Sequence, residues 1–570
     1  MKKSATVRYA ITVAALALTL NVPFAASAAS SAGAQAVPTQ TAGNGPQADS
    51  RLVPLRVVAE TVGASVKWKG GGNISIARGS SAIELRVGGT TALVNGKPQN
   101  IGLAVQTIGG KTYVALDFLN AALGSRLGWD EANQKVVIPK DDYVSLASRF
   151  VYELIHGNAD AAAAVLSPAV KPALPAAALQ TLWPSLVQGY GVTPNQSSAT
   201  VEPNAVHTNV RLTYEGAALP FEITVRFDSE GRVDDLAFSP VSAAEPYRAP
   251  AYDHAEKYTE KEVVIGEGTF ALPGTLTMPK GEGPFPAVVL VHGSGPHDRD
   301  STIGGAKPFR DLAVGLAGKG IAVLRYEKVT LEHTLKSSIV PNFSIEDETV
   351  NDALKAVKLL KETDGIDPRR IFVVGHSQGG FAVPKLIELD AEGSVAGAVL
   401  LSSPSGKFGD ILVEQQQIAL ERMKQLGFPQ ETLAQQEQAL ASMAGIVSVL
   451  NDPQFSAANL PSPDRFPLQP AYWWYDIRDY VPAETAKTQQ RPLLILQGEN
   501  DWQVSMKQFE GWKEALKNRT DVEYKSYPKM NHLLTEYDNL SVGTEYSRAA
   551  NVSAELIEDI SAWIQKRQPK

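Results

Sequence analysis

The feature that most constrains this chain is a serine flanked by glycines. Residues 375–379 read Gly-His-Ser-Gln-Gly, directly after the apolar run 371–374 and ahead of a helix-compatible stretch. This order predicts a β-strand, a sharp turn and an α-helix, with Ser377 at the apex of the turn. The flanking glycines leave room for a strained backbone, so the serine hydroxyl projects above the sheet. The motif therefore predicts a nucleophile elbow.

Two partners for this serine follow from the order of residues along the chain. Where such an elbow occurs, an acid and then a histidine follow the serine in sequence. Of the eight histidines, only His532 comes after Ser377. Asp501 follows the apolar run 492–497 and is the preferred acid, with Glu499 as its competitor. We therefore predict that His532 takes the hydroxyl proton and that Asp501 fixes its tautomer.

A second small-residue turn predicts a site for the negative charge that develops on a carbonyl oxygen. The apolar strand 286–291 ends in His-Gly-Ser-Gly-Pro at 292–296. A turn of this composition leaves backbone N–H groups able to point at an oxyanion. We predict that the N–H groups of Ser294 and of Gln378, the residue after the nucleophile, form an oxyanion hole.

The region that contains these motifs, residues 250–570, alternates strand and helix patterns. Alternation of this kind predicts a doubly wound, mostly parallel sheet. Two leading strands are expected at 262–265 and 274–278, with a turn at Pro273 and Gly274 between them.

The alternation stops between about 407 and 490, where long glutamine-rich helical stretches precede a Tyr-Trp-Trp-Tyr cluster at 472–475. An insertion at this place predicts a helical cap over the active site. Aromatic clusters more often form plain core than a substrate wall. The position of this cluster nevertheless favours pocket lining by Trp473 or Trp474.

Four motifs together resemble those of a known family. They are residues 292–300 (His-Gly-Ser-Gly-Pro, one residue, Asp-Arg-Asp), 324–326 (Leu-Arg-Tyr), 375–380 and 496–501. The chain resembles the α/β-hydrolases, and within them the secreted bacterial carboxylesterases. The resemblance implies an α/β-hydrolase fold, and we expect two small α+β domains ahead of it. The resemblance also implies hydrolysis of short-chain esters, with Ser377, Asp501 and His532 as the triad.

The sequence departs from this family in one loop. Many members carry Asp-Lys-Arg-Gly after the Arg-Tyr pair, whereas residues 327–330 here are Glu-Lys-Val-Thr. The resemblance therefore does not predict the contacts of this loop, but the predicted catalytic chemistry is unchanged.

The first residues predict export. Residues 1–28 combine basic residues, an apolar run from about 10 to 20 and an Ala-Ser-Ala cleavage pattern, which is typical of a signal peptide. The apolar run is too short to span a bilayer, so membrane insertion is not expected. Residues 29–50 are rich in Ala, Ser, Gly and Gln and predict a linker. We expect a secreted or cell-envelope-associated protein that, lacking cysteine, folds without disulfides.

Residues 51–139 contain an internal repeat. A Val-x-Leu pattern, a glycine and a tryptophan occur at 53–68 and again at 114–129. This segment resembles the copper amine oxidase N-terminal domain, which is common in secreted proteins of Gram-positive bacteria. The segment has no histidine or cysteine, so no copper site is predicted. Contact with the cell envelope and a purely structural appendage are the two interpretations.

Residues 141–243 predict a second small α+β module. An amphipathic helix at 144–155 and a hairpin of strands 221–227 and 232–238 are its strongest elements. The module resembles the nuclear-transport-factor-like folds that precede some bacterial hydrolases. We favour a structural or dimerising role.

Charge and composition limit the remaining possibilities. The net charge is −8 with mixed signs and no basic run, which argues against a nucleic-acid partner. No metal motif is present, and no cofactor is expected. The leading function is a secreted serine hydrolase that cleaves small carboxylic esters through an acyl-enzyme. The alternatives are a prolyl-oligopeptidase-like serine peptidase and an envelope-binding protein with secondary hydrolase activity.

Overall fold

The structure, a computed structural model, describes residues 51–79, 81–241 and 243–567. The predicted signal peptide and linker lie outside the described residues. The described chain forms two compact units, 51–203 with 207–241, and 204–206 with 243–567. No helix within these ranges is both long and apolar enough to cross a bilayer.

The first part of unit one is built on the internal repeat. Its elements are β1 (Leu52–Pro54), α1 (Leu55–Thr61), β2 (Ser65–Gly70), β3 (Asn73–Arg78), β4 (Ser81–Arg86), β5 (Thr91–Val94), β6 (Lys97–Asn100), β7 (Gln106–Ile108), β8 (Lys111–Ala115), α2 (Leu116–Leu123), β9 (Gly128–Asp130) and β10 (Lys135–Val137). The two copies meet where β1 and β8 pair antiparallel, with Val53 opposite Val114. Their tryptophans differ, because Trp129 is buried and Trp68 is half exposed.

The second part of unit one packs helices on a four-stranded antiparallel sheet. Its elements are α3 (Tyr143–Ile155), α4 (Ala159–Ala164), the 3₁₀ turn Lys171–Ala173, α5 (Ala176–Tyr190), β11 (Gln196–Pro203), β12 (Thr208–Tyr214), β13 (Phe221–Phe227) and β14 (Val233–Pro240). The predicted hairpin is confirmed as β13 and β14. Asp228 closes its turn, since its carboxylate accepts hydrogen bonds from the N–H groups of Glu230 and Arg232.

Unit two is organised around an eight-stranded sheet. Its strands are β15 (Tyr258–Ile265), β16 (Leu272–Pro279), β17 (Phe285–Val291), β18 (Ala322–Tyr326), β19 (Ile366–His376), β20 (Val395–Leu401), β21 (Leu493–Gly498) and β22 (Val522–Tyr527). They lie in the order β15-β16-β18-β17-β19-β20-β21-β22. The pairs β15/β16 and β16/β18 are antiparallel, and the other pairs are parallel. The predicted mostly parallel sheet is confirmed.

Helices cover both faces of this sheet. They are α6 (Pro308–Ala317), α7 (Val329–Glu332), α8 (Thr334–Ser338), a π-helical turn (Glu346–Val350), α9 (Asn351–Lys361), α10 (Gln378–Leu389), α15 (Met506–Ala515) and α16 (Ala554–Gln565), with 3₁₀ turns at Ala255–Lys257, Gly268–Phe270 and Thr544–Ser547. Successive residues of β17 enter different cores: Val289 packs with α9 and α10, and Val288 packs with α6 and α16. Alternate side chains therefore fill two layers, as a doubly wound sheet requires.

The segment predicted as a cap is helical. Between β20 and β21 lie α11 (Phe408–Gln425), α12 (Gln430–Leu450), α13 (Ala471–Ile477) and α14 (Pro482–Ala486). Phe408 and Leu412 of α11 join the same core as α10, so the insertion is packed onto the sheet layer.

The turn predicted at Pro273 and Gly274 is wrong. Both residues lie inside β16, and the chain reverses between β15 and β16 over residues 266–271. Gly274 is needed for close packing, because a Cβ there would lie 2.6 Å from a methyl carbon of Ile265 and 2.9 Å from the carbonyl oxygen of Arg325. Sequence alone does not distinguish a glycine that turns the chain from one that admits a neighbour.

Candidate active site

The loops that carry the predicted site residues leave the same edge of the sheet. Ser294 follows β17, Ser377 follows β19, Asp501 follows β21 and His532 follows β22. Since these strands are parallel, their carboxyl ends face one side, where open α/β sheets place their ligands.

The backbone at Ser377 is strained in the way the elbow motif predicts. Ser377 has φ 54° and ψ −119°, a rare conformation for a residue with a side chain. Neighbouring glycines permit it: a Cβ on Gly375 would lie 2.6 Å from the backbone of Gly379, and one on Gly379 would lie 2.2 Å from the carbonyl oxygen of Val291. Ser377 is held in turn by its N–H, which donates to the carbonyl of Leu401 over 2.9 Å.

The structure brings the predicted acid and base together. The Nδ1 atom of His532 lies 2.7 Å from Oδ2 of Asp501, and both side chains are buried. The other carboxylate oxygen of Asp501 accepts hydrogen bonds from the N–H groups of Gln503 and Val504 over 2.8 and 3.0 Å. Burial acts to raise the pKa of Asp501, but His532 and these N–H groups outweigh it and hold the pKa below its ordinary value.

The competing acid lies elsewhere. Glu499 accepts a hydrogen bond from the hydroxyl of Ser526 over 2.7 Å at an exposed position. Asp501 is therefore the carboxylate that contacts His532.

His376, the residue before Ser377, contacts the loop that carries His532. Its Nε2 lies 2.8 Å from the carbonyl oxygen of His532, and the two ring centroids are 4.8 Å apart. Burial lowers the pKa of His376 to about 3, so the ring is neutral and donates its Nε2–H to that carbonyl. The loop of His532 is thus tied directly to the end of β19, which leads into Ser377. The sequence motif placed His376 here but did not reveal this contact.

One predicted oxyanion donor, Ser294, lies in the turn after β17, and the other, Gln378, follows Ser377 at the start of α10. A Cβ built on Gly293, the residue before Ser294, would lie 3.3 Å from Cβ of Ser377. Gln378 is the first residue of α10, where backbone N–H groups have no partner inside the helix. Among the described residues, no backbone carbonyl accepts a hydrogen bond from the N–H of Ser294 or of Gln378. Their role as an oxyanion hole stays a prediction.

The two tryptophans proposed to line the pocket lie in α13. Trp474 is 1% exposed and Trp473 is 6% exposed, and their rings pack at 4.9 Å in the core that also holds Phe408. The structure thus places both in the core between the insertion and the sheet. A contribution to substrate binding stays a prediction.

Arg422, on the inserted helix α11, was not identified from the sequence. Its guanidinium donates to the carbonyl oxygens of Asn500, Asp501 and Ser541 over 2.8, 3.1 and 2.8 Å. The insertion is therefore bonded to the backbone of the loop that presents the acid. Long glutamine-rich helices gave no signal for this contact, because it depends on which helix face meets the sheet.

Strand order, a strained serine elbow and a buried Asp–His pair on one edge of the sheet define an α/β-hydrolase. Residues 283–538 match the family described as serine aminopeptidase, S33. Residues 45–138 match the family described as copper amine oxidase N-terminal domain, which confirms the resemblance predicted for that segment. Within the described residues, no group of three or more His, Asp or Glu could hold a metal ion.

A curated relative identifies the family more narrowly. Esterase EstD of Thermotoga maritima is 32% identical over 427 residues, which cover 73% of this chain and 94% of the relative. The chain belongs to this carboxylesterase family of the α/β-hydrolases.

Solved structures of esterases are also similar. Est1E from Butyrivibrio proteoclasticus is 15% identical with a TM-score of 0.33, covering 54% of this chain and 98% of that chain. A hyperthermophilic esterase from the archaeon Pyrobaculum calidifontis is 18% identical with a TM-score of 0.34, covering 54% of this chain and 85% of that chain.

Proposed function

We propose that the protein is a serine carboxylesterase that hydrolyses small, short-chain esters through an acyl-enzyme on Ser377. One observation carries this proposal. Nδ1 of His532 lies 2.7 Å from Oδ2 of Asp501, and this buried pair is tied through His376 to the strand that leads into the elbow serine. A base oriented by an acid and anchored beside a strained serine is the arrangement that nucleophilic acyl transfer needs.

Each side chain has a defined task in this mechanism. Because Nδ1 of His532 bonds Asp501, the proton on Nδ1 is held there and Nε2 is left to accept the proton of Ser377. Attack by the serine oxygen on the ester carbonyl then produces a tetrahedral oxyanion, which the N–H groups of Ser294 and Gln378 stabilise. The imidazolium returns its proton to the departing alcohol. Water, activated by the same imidazole, then releases the acid from the acyl-enzyme.

Ester rather than amide substrates are favoured by the relationship to Esterase EstD, which extends over 94% of that protein. The family description that names an aminopeptidase supports a second candidate function. The test compares p-nitrophenyl acetate, butyrate and octanoate with aminoacyl p-nitroanilides, using the wild-type protein and Ser377→Ala. We expect the wild-type protein to hydrolyse p-nitrophenyl acetate and butyrate, and Ser377→Ala to hydrolyse neither ester. Turnover of the anilides without the esters, or retained turnover by Ser377→Ala, contradicts the proposal.

Secretion is the second part of the proposal. It is supported by the basic residues, short apolar run and Ala-Ser-Ala pattern of residues 1–28. Expression of the full chain in a Gram-positive host tests it by N-terminal sequencing of the protein outside the cells. We expect a mature N-terminus near residue 29, and retention of the uncleaved chain in the cytosol contradicts it.

Contact with the cell envelope through residues 51–139 is the third part. Its support is the similarity of this segment to the copper amine oxidase N-terminal domain, together with the proposed secretion of the chain. Sedimentation of the secreted full-length protein with purified cell walls is the test. Recovery of the protein in the wall pellet is expected, and its complete recovery in the supernatant contradicts the contact.

A further inference from the structure

A buried ion pair connects the two segments that carry the proposed oxyanion donors, the turn after β17 and the start of α10. The ammonium group of Lys328 donates to the carbonyl oxygen of Gly293 over 2.8 Å and lies 2.7 Å from one carboxylate oxygen of Glu348. The other oxygen of Glu348 accepts a hydrogen bond from the side-chain amide of Gln378 over 2.9 Å. An unbroken chain of contacts therefore runs from Gly293 to Gln378.

Peptide geometry shows what this chain of contacts does to the first donor. In a trans peptide the C=O and the following N–H point in opposite directions. The carbonyl of Gly293 belongs to the same peptide as the N–H of Ser294. Because Lys328 holds that carbonyl, it fixes the direction in which the N–H of Ser294 points. Gly293 is also the residue that approaches Ser377, so this peptide lies beside the nucleophile.

The second donor is held from the other end of the chain of contacts. Gln378 supplies its backbone N–H in the proposed site, while its side chain is anchored on Glu348 and is itself buried. Glu348 lies in the π-helical turn Glu346–Val350, ahead of α9. Displacement of Glu348 therefore loosens the residue that carries the second donor.

Two more contacts attach the Lys328 loop to the turn after β17. The backbone N–H of Lys328 donates to the carbonyl of His297 over 3.0 Å, and Nε2 of His297 lies 2.8 Å from the carbonyl oxygen of Ser294. Burial, with a contribution from the Lys328 charge, lowers the pKa of His297 to about 4. A neutral His297 donates to the carbonyl of Ser294. The peptides before and after Ser294 are therefore both held by hydrogen bonds.

A gain in folding stability does not explain why Lys328 and Glu348 form a buried ion pair. The side chains of Lys328 and Glu348 are 2% and 9% exposed. Removing two charges from water costs about as much as their attraction returns, and apolar replacements of buried pairs are often neutral or stabilising. A pair of this kind is better explained by the geometry that it imposes.

We propose that Lys328 and Glu348 are positioning residues that fix both N–H donors of the oxyanion hole. This inference rests on the proposed function, since it assumes an oxyanion formed at Ser377. It assigns a task to the loop at 327–330, which the sequence comparison left open.

The test separates positioning from folding. Lys328→Met alone leaves a buried carboxylate unpaired, so we expect losses of both stability and activity. In the double variant Lys328→Met/Glu348→Leu both charges are absent, and we expect the thermal midpoint to return toward that of the wild type. We expect kcat for p-nitrophenyl butyrate to remain about tenfold to a hundredfold low with KM within about twofold. This is less than the cost of deleting a donor outright, about a hundredfold to a thousandfold.

A boronic acid that mimics the tetrahedral intermediate gives a second measurement. Its inhibition constant should weaken by the same factor as kcat/KM, because both depend on the oxyanion donors. Lys385→Met is the matched control. Lys385 lies on α10 and pairs with Glu346 over 2.9 Å, so it joins α10 to the π-helical turn, as Gln378 and Glu348 do, without bonding either donor residue. It should keep wild-type kcat and inhibitor affinity.

Gln378→Met provides an independent variant if the double variant does not fold. It removes the side-chain anchor but keeps the backbone N–H, and kcat should fall about tenfold with little change in KM. Wild-type kcat and inhibitor affinity in a folded double variant, or in Gln378→Met, overturn the inference while leaving Ser377→Ala inactive. Retained turnover by Ser377→Ala overturns the proposed function instead, so the two failures are distinguishable.

Discussion

The acid–base half and the nucleophile half of the proposed active site are held in place by different means. Asp501 and His532 contact each other directly through their side chains. Ser377 is placed by its backbone, since a rare φ of 54° and glycines packed closely against neighbouring backbone define the elbow. Substitutions in the first half therefore change the charge and tautomer of reacting groups, whereas substitutions around the second half change the position of donors.

The largest effect in the acid–base half is expected from Asp501→Asn. The amide keeps the size of the side chain but cannot hold the imidazole in the tautomer that leaves Nε2 free as a base. We expect kcat for p-nitrophenyl butyrate to fall about ten-thousandfold. Glu499→Gln, two residues earlier, is the matched control and should keep wild-type turnover. Loss of less than about tenfold in Asp501→Asn would mean that another group orients His532.

A smaller effect is expected when the backbone of the acid loop is loosened. Arg422→Met removes the guanidinium that holds the carbonyls of Asn500, Asp501 and Ser541. Stability should fall by about 1 to 3 kcal/mol, the cost of leaving buried acceptors unpaired, and kcat by about tenfold. Denaturant unfolding and steady-state kinetics measure the two effects.

Lys424→Met on the same helix provides the control for Arg422. Lys424 pairs with Glu437 at an exposed position, so its removal changes the same formal charge without touching the acid loop. Equal effects of the two substitutions would show that the acid loop does not depend on the insertion.

The smallest effect concerns pH and the contact that joins the two halves. The pKa of His376 is lowered to about 3 by burial, against about 6.5 for an ordinary imidazole. Between these values the unfolded chain binds a proton that the folded chain does not, so stability falls as pH is lowered. This residue should contribute a loss of about 2 kcal/mol between pH 7 and pH 5.

His376→Gln tests this pH dependence by urea unfolding at both pH values. The variant lacks the titrating ring, so its stability should decline less on acidification than that of the wild type. The exposed His254 gives the control His254→Gln, which should follow the wild-type pH dependence. An unchanged decline in His376→Gln would contradict a buried neutral ring at this position.

The sequence was most informative where chemistry depends on local pattern and chain order. A glycine-flanked serine after an apolar run is a local signal, and only one histidine follows it, so Ser377 and His532 could be named directly. Alternating apolar runs and helical stretches likewise indicated the doubly wound sheet. These features can be predicted because they are encoded by residues close together in the sequence.

Contacts between distant segments were not predictable in the same way. The hydrogen bond from Lys328 to Gly293 joins segments that follow two different strands. The hydrogen bond from Arg422 to Asp501 depends on how the inserted helix lies on the sheet. Gly274 follows a proline and so predicts a turn, but the glycine is required for close packing against neighbouring strands. Position in the insertion alone favours pocket lining by Trp473 and Trp474, whereas their burial in the core depends on side chains from other elements.

Site-resolved covalent labelling tests the central claim that Ser377, Asp501 and His532 form one active site. A fluorophosphonate reacts with a serine only when a neighbouring base activates it. We predict that the wild-type protein takes up a single label on the peptide containing Ser377 and loses esterase activity in proportion. His532→Ala and Asp501→Asn should label far more slowly at that serine. A label on another serine, or equal labelling rates in His532→Ala and wild type, would contradict the account.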